Sequence, residues 1–165
     1  IGADFLIIPC NTSHCFIEQI QEQISINIIN MIDVTARYLA EQAFNKVGIL
    51  ATTGTIKTGV YEDYLNRYGI DAVIPSEDEQ TNVMGFIYDG IKAGNICYNI
   101  QPIKKIIGHL YERGAQTVVL GCTELSVGVK IFDLCDKYID ALSILAISAI
   151  RFAGYTPKSL CENHN

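Results

Sequence analysis

At 165 residues, 49% hydrophobic and 18% charged, the chain has the length of about one domain and the composition of a folded protein rather than a disordered one. A net charge of -6 without any Lys/Arg cluster argues against a nucleic-acid partner. The longest apolar stretch, near 141–150, is broken by Ser143 and Ser148 and is about half of the ~20 residues a membrane helix needs. No signal-peptide pattern is seen, and the six cysteines form no C-x-x-C pair. A reduced, cytoplasmic setting is therefore expected, although an even cysteine count leaves disulfides open.

The uninterrupted apolar run Phe5-Leu6-Ile7-Ile8 predicts a strand buried on both faces, and it stops at Pro9-Cys10. Asn11-Thr12-Ser13-His14 follow, with Ser13 opening an amphipathic helix that carries Phe16, Ile17, Ile20 and Ile24. Cys10 is thus expected between a strand C-terminus and a helix N-terminus. Ligands of parallel sheets gather at that edge, where backbone N–H groups favour anions, a thiolate included.

A strand over 26–30 is followed by a helix over 34–44, with Asp33 as N-cap and Asn45 closing it. Residues 46–51 predict a strand, and Thr52-Thr53-Gly54-Thr55 a turn into a helix from Ile56 or Lys57 to Tyr68, ended by Gly69. A short strand over 72–75, a polar loop over 76–80 and a helix near 82–93 stopped by Gly94 come next. Pro102 falls in the first turn of a helix reaching about Arg113, with Gly114 after it. Then Thr117-Val118-Val119-Leu120 runs into Gly121-Cys122-Thr123-Glu124, which repeats the first design: a buried strand, a cysteine, small polar residues. A strand over 137–140, a helix over 141–152 and a tail from Gly154 complete the order. Strands alternating with helices at this spacing predict a parallel sheet.

One cysteine at a strand end is more often a small buried hydrophobe than a reagent. Two in matching settings reverse those odds and suggest a symmetrical task. Cys15, Cys97, Cys135 and Cys161 read as core or incidental thiols. Cys10, His14 and Cys15 match no structural zinc spacing and have no fourth ligand nearby, so no metal is expected. Lys57 precedes Gly59, so the loop is not a Walker motif, and Lys57-Thr58-Gly59 lacks the Ser-x-x-Lys that would make it a β-lactamase triplet.

The motifs Pro9-Cys10-Asn11-Thr12-Ser13-His14 and Gly121-Cys122-Thr123-Glu124-Leu125, with the segment 48–61 between them, resemble the aspartate/glutamate racemase family, nearer its aspartate branch. The resemblance runs from Gly2 to about Phe152. It implies an α/β fold of two similar lobes, each with a parallel sheet flanked by helices, and an acidic amino acid bound in the cleft without any cofactor. Residues 33–133 would form lobe two, and 1–32 with 134–165 an N-terminally truncated lobe one. The family carries two further βα units, roughly 70 residues, upstream of Gly2. They hold a glycine-rich turn and a substrate-binding arginine, and lobe one without them would expose apolar surface. Family habit also suggests a homodimer.

Racemisation removes the Cα proton on one face and returns one on the other. Two thiols suit it, because an ordinary pKa of about 8.5 lets thiol and thiolate both exist near neutrality after a modest shift. Cys10 and Cys122 are the expected acid/base pair. The charge developing on the α-carboxylate requires pre-placed donors, for which Asn11, Thr12, Thr52, Thr53, Thr55 and Thr123 are the candidates. Lys92 resembles the family lysine that meets the substrate's side-chain carboxylate, and it reads equally as a solvated C-terminal cation. His14 reads as a helix-start hydrogen-bonding residue or a proton handler; Glu124 either tunes Cys122 or caps a helix. Other chemistry on a small dicarboxylic acid, isomerisation or decarboxylation, stays open, as does an inactive remnant or binding module.

Overall fold

Every strand pair in the computed structural model, which describes residues 2–134 and 137–158, is parallel. Strands β1 (Phe5–Ile7) and β2 (Asn27–Ile29) form a small sheet. Strands β3 (Lys46–Ala51), β4 (Asp71–Val73), β5 (Val118–Gly121) and β6 (Tyr138–Asp140) form a larger one in the order β4-β3-β5-β6. Helices α1 (Ile17–Gln23), α2 (Met31–Glu41), α3 (Thr53–Thr58), α4 (Val60–Arg67), α5 (Glu77–Gly85), α6 (Gln101–Glu112), α7 (Thr123–Phe132) and α8 (Ala141–Phe152) surround them. Strand alternation divides the core: Val47, Ile49 and Val119 face α2 and α4, packing with Leu39, Tyr61 and Leu65. Leu50, Val118 and Leu120 face the other way, onto Phe86, Ile103, Leu110 and Leu125. Both faces of the larger sheet are covered, which is why its strands read as apolar runs. A third cluster joins β2 and α2 to α8 through Ile29, Met31, Val34, Ile144 and Leu145.

The register fixes where the site is. Ala51 pairs with Gly121, so Thr52 and Cys122 leave β3 and β5 at the same sheet edge. Strand β6, expected with the first lobe, hydrogen-bonds to β5 in the larger sheet.

Several local readings are corrected. Strand β1 is not buried on both faces: Leu6 is 37% and Ile7 43% exposed, because among the described residues it has β2 on one side and no strand on the other. The first helix starts as a 3-10 turn (Thr12–Phe16) before α1. Asn30, not Asp33, caps α2, its Oδ1 accepting from the amides of Ile32 and Asp33. That helix ends at Glu41, and Ala43 rather than Asn45 takes the left-handed conformation, at φ 59°. The helix expected as one piece to Tyr68 is two, α3 and α4, hinged at Gly59 with φ 66°, a geometry that suits glycine. Residues 76–80 are not loop. Ser76 caps α5 through a reciprocal box with Glu79. The same helix runs on as a π-helical stretch, Phe86–Lys92, and α7 is a full helix that the sequence reading did not set out. Cys135 and Cys161 lie outside the described residues.

Candidate active site

The first cysteine loop is tied down by its own short side chains. Past β1 the chain turns at Pro9, with the Cys10 amide donating to the Ile8 carbonyl at 2.8 Å. Cys10 is exposed, and its sulfur accepts from Ser13 Oγ at 3.1 Å. His14, 1% exposed, bridges this loop to α2: Nε2 accepts from the Met31 amide at 3.0 Å. Its Nδ1 must then carry the proton, and it donates to the Cys10 carbonyl at 2.8 Å. Burial first, against the favourable carbonyl contact, pushes the imidazole below its ordinary value and keeps it neutral. Both ring nitrogens are occupied by backbone, which fits the hydrogen-bonding reading of His14 rather than proton handling.

Asn11 and Thr12 reach across to α4 and to the start of α3. Thr12, Thr52 and Thr55 form a hydroxyl triangle with sides of 3.2, 2.8 and 3.1 Å. Thr52 also caps α3, accepting from the Thr55 amide at 3.3 Å. Thr53 stands apart from the triangle. Its hydroxyl accepts from Gln80 Nε2 at 3.3 Å, and the same nitrogen donates to the Ala51 carbonyl at 2.9 Å.

The second cysteine ends β5 and stands at the N-cap of α7, where its side chain makes no capping bond. The buried thiol donates instead to Glu124 Oε2 at 2.9 Å, and Thr123 Oγ1 donates to the same oxygen at 3.1 Å. Lys92, delivered by the end of the π-helical stretch, lies 3.4 Å from Glu124 Oε1 and 4.5 Å from the centre of the Tyr88 ring. Burial, and then the Glu124 carboxylate, push the Cys122 thiol up to about 12. For Glu124 burial acts upward, yet the contacts from Cys122 and Thr123 and the Lys92 charge bring it below the usual carboxylate value. Glu124, chiefly by its charge, raises Lys92 in return.

Tyr61 joins the two halves. Its hydroxyl donates to Asn11 Oδ1 at 2.6 Å, beside Cys10. Its ring lies so close to Gly121, the residue before Cys122, that a Cβ there would be 2.9 Å from Tyr61 Cε2. Burial, followed by the charge of Asp140 and that of Cys122 whenever it is a thiolate, keeps the phenol protonated. Asp140 itself ties α7 to α8, accepting from Ser126 and Ser143 at 2.7 Å each.

The structure therefore gathers Asn11, Thr12, Thr52 and Thr55 into one group and Cys122, Thr123, Glu124 and Lys92 into another. Sequence reasoning missed Tyr61, Gln80 and Asp140. Tyr61 falls among Val60, Tyr64 and Leu65 on the buried side of α4, so its position reads as core and only its hydroxyl distinguishes it.

The description Asp/Glu/hydantoin racemase fits a family model over residues 1–146. The chain is 34% identical over 106 residues to an uncharacterised protein of the pnlA 3′ region from Pectobacterium carotovorum, covering 64% of this chain and 70% of that one. It is 24% identical to the broad specificity amino-acid racemase RacX of Bacillus subtilis, over 90% of this chain but 64% of RacX. An aspartate racemase homologue from Pyrococcus horikoshii superposes with a TM-score of 0.80 at 25% identity, over 93% of this chain and 68% of the other. The chain thus spans roughly two thirds of these relatives. Matched through both cysteine motifs and both sheets, the chain belongs to the Asp/Glu/hydantoin racemase family.

Proposed function

We propose that the chain racemises an acidic amino acid, aspartate in the first instance, with Cys10 and Cys122 exchanging the Cα proton. The observation that carries this reading is the joining of the two cysteine strand ends through Tyr61, whose hydroxyl meets Asn11 and whose ring meets Gly121. In one direction the Cys10 thiolate takes the Cα proton and the electron pair passes into the α-carboxylate. The Cys122 S–H then gives its proton to the opposite face and is left as thiolate. The return direction starts from the swapped state. Because burial and a neighbouring carboxylate hold the proton on Cys122, Cys122 is the acid in this direction.

Thr12, Thr52, Thr55 and Thr123 supply hydroxyls, and Asn11 an amide, for the substrate carboxylates. Lys92 is the cation for the side-chain carboxylate and is shared with Glu124 until substrate arrives. The aspartate preference is supported by the likeness to an aspartate racemase homologue; RacX, a broad specificity racemase, makes other amino acids the competing outcome. The lobes, 1–32 with 134–165 and 33–133 except that β6 joins the second lobe's sheet, the cytoplasmic setting and a homodimer belong to the same proposal.

Incubation of the protein with L-aspartate in D2O tests it. Deuterium at Cα of recovered D- and L-aspartate is expected, and Cys10→Ser or Cys122→Ser each lowers the rate by about 10²–10⁴-fold without unfolding the protein. Full activity in either single variant, or no Cα exchange at all, overturns the two-thiol reading.

A further inference from the structure

Tyr61 is buried, lies outside both cysteine motifs and yet spends its only hydroxyl proton on Asn11. A carboxamide has one accepting and one donating end. With Oδ1 taken by the tyrosine at 2.6 Å, the amide orientation is set, and Nδ2 is turned to the other side of the group. Among the described residues Nδ2 carries no hydrogen bond, yet it is not one of the fully buried unpaired polar atoms, which are Glu62 Oε2 and Gln80 Oε1. Asn11 as a whole is 4% exposed, so Nδ2 is an unspent donor in a nearly enclosed place. The tyrosine cannot yield its place. Its ring is buried beside Gly121, with Ala51 close to the same glycine. Phenol ionisation, which would abolish the donor, is opposed by burial and by the charge of Asp140.

The same logic holds just past the end of β3. Thr53 Oγ1 accepts from Gln80 Nε2 at 3.3 Å, so its own proton is left to donate elsewhere. Two buried side chains thus occupy the accepting atoms of Asn11 and Thr53 and leave each with an unspent hydrogen-bond donor.

We propose that Tyr61 is a positioning residue that locks the Asn11 carboxamide with its oxygen inward, so that the NH2 group is presented as a donor to a carboxylate of the bound ligand. This rests on the racemase reading for the identity of that carboxylate, but the locking of Asn11 does not depend on it.

Tyr61→Phe keeps the ring against Gly121 and removes only the donor. It is expected to retain the thermal midpoint within a few degrees and to lower kcat/KM for aspartate about tenfold, the size of one lost positioned hydrogen bond. In an Asn11→Ala background the same substitution is expected to change kcat/KM less than about twofold, because a residue acting through Asn11 has nothing left to act on. Additive losses, or wild-type kcat/KM in Tyr61→Phe, overturn the proposal in favour of packing alone. Should the wild-type protein racemise no acidic amino acid, the racemase reading fails and the Asn11 side-chain amide still decides this one. Its NH2 resonances, assigned by comparison with Asn11→Ala, are expected to shift and broaden in Tyr61→Phe; unchanged resonances overturn the lock.

Discussion

The thiol of Cys122 and the carboxylate of Glu124, two positions apart in the chain, meet across 2.9 Å with the sulfur as donor. Burial, and then this contact, keep a proton on sulfur where an isolated cysteine would begin to lose it, whereas Cys10 on the other loop is exposed and accepts a hydrogen bond from Ser13.

The two sulfurs should therefore differ in reactivity. Iodoacetamide at pH 8 is expected to alkylate Cys10 at least ~100-fold faster than Cys122, since only thiolate reacts and Cys122 is both buried and protonated. Glu124→Gln removes the negative acceptor and should speed labelling of Cys122, though burial, the larger cause, remains. Peptide mass spectrometry against time checks both; equal rates for the two cysteines would refute the asymmetry.

His14 makes stability pH-dependent. Its pKa is depressed in the folded protein relative to about 6.5 in the unfolded chain, so the unfolded state binds the extra proton first. The contribution of the neutral ring is complete above about pH 6.5 and is lost as pH falls from there through the folded value. Urea midpoints measured between pH 7.5 and pH 5 should fall with acid in the wild type and fall less steeply in His14→Gln.

Gly121→Ala places a methyl group 2.9 Å from the Tyr61 ring and 3.1 Å from Ala51 Cβ, both buried. The strain should lower stability by roughly 1–3 kcal/mol, and it should weaken catalysis as well by shifting the Tyr61 hydroxyl from Asn11. Denaturant unfolding with racemisation assays on the same sample checks the pair of effects.

Asn30→Ala removes the cap of α2 and the bond from Asn30 Nδ2 to the Tyr64 hydroxyl at 2.8 Å. A loss of about 1–2 kcal/mol in unfolding free energy is expected, whereas Asp33→Ala, which breaks only a contact from Tyr68, should be milder.

The parallel sheet and the two cysteine edges are legible in the sequence because strands covered on both faces leave continuous apolar runs, and Val118 to Leu120 show this. Cap positions are less so: Asn30 and Asp33 are both cap-type residues three apart, and the choice depends on which carboxyl or amide oxygen reaches the first free amides. The Ser76-Glu79 box was spelled out in the chain, but the acidic run around it reads as loop. Burial of β1 depends on what covers it, a property that Leu6 and Ile7 do not carry themselves. Tyr61 was invisible as a site residue because its partner Asn11 lies 50 positions away, beyond any local pattern.

Thr12, Thr52 and Thr55 hold three hydroxyl hydrogens for three sides of one triangle. When every side is bridged, the hydrogens run head to tail around the ring, clockwise or anticlockwise, without any heavy atom moving. A carboxylate arriving at one corner takes one hydrogen and opens one side, and the other two can follow by rotating about their C–O bonds. Only the two sides from Thr12 cross between the Cys10 loop and the start of α3, so on the proposed function that link would lose at most one of its two contacts when the site fills, and the other would keep the loops in register.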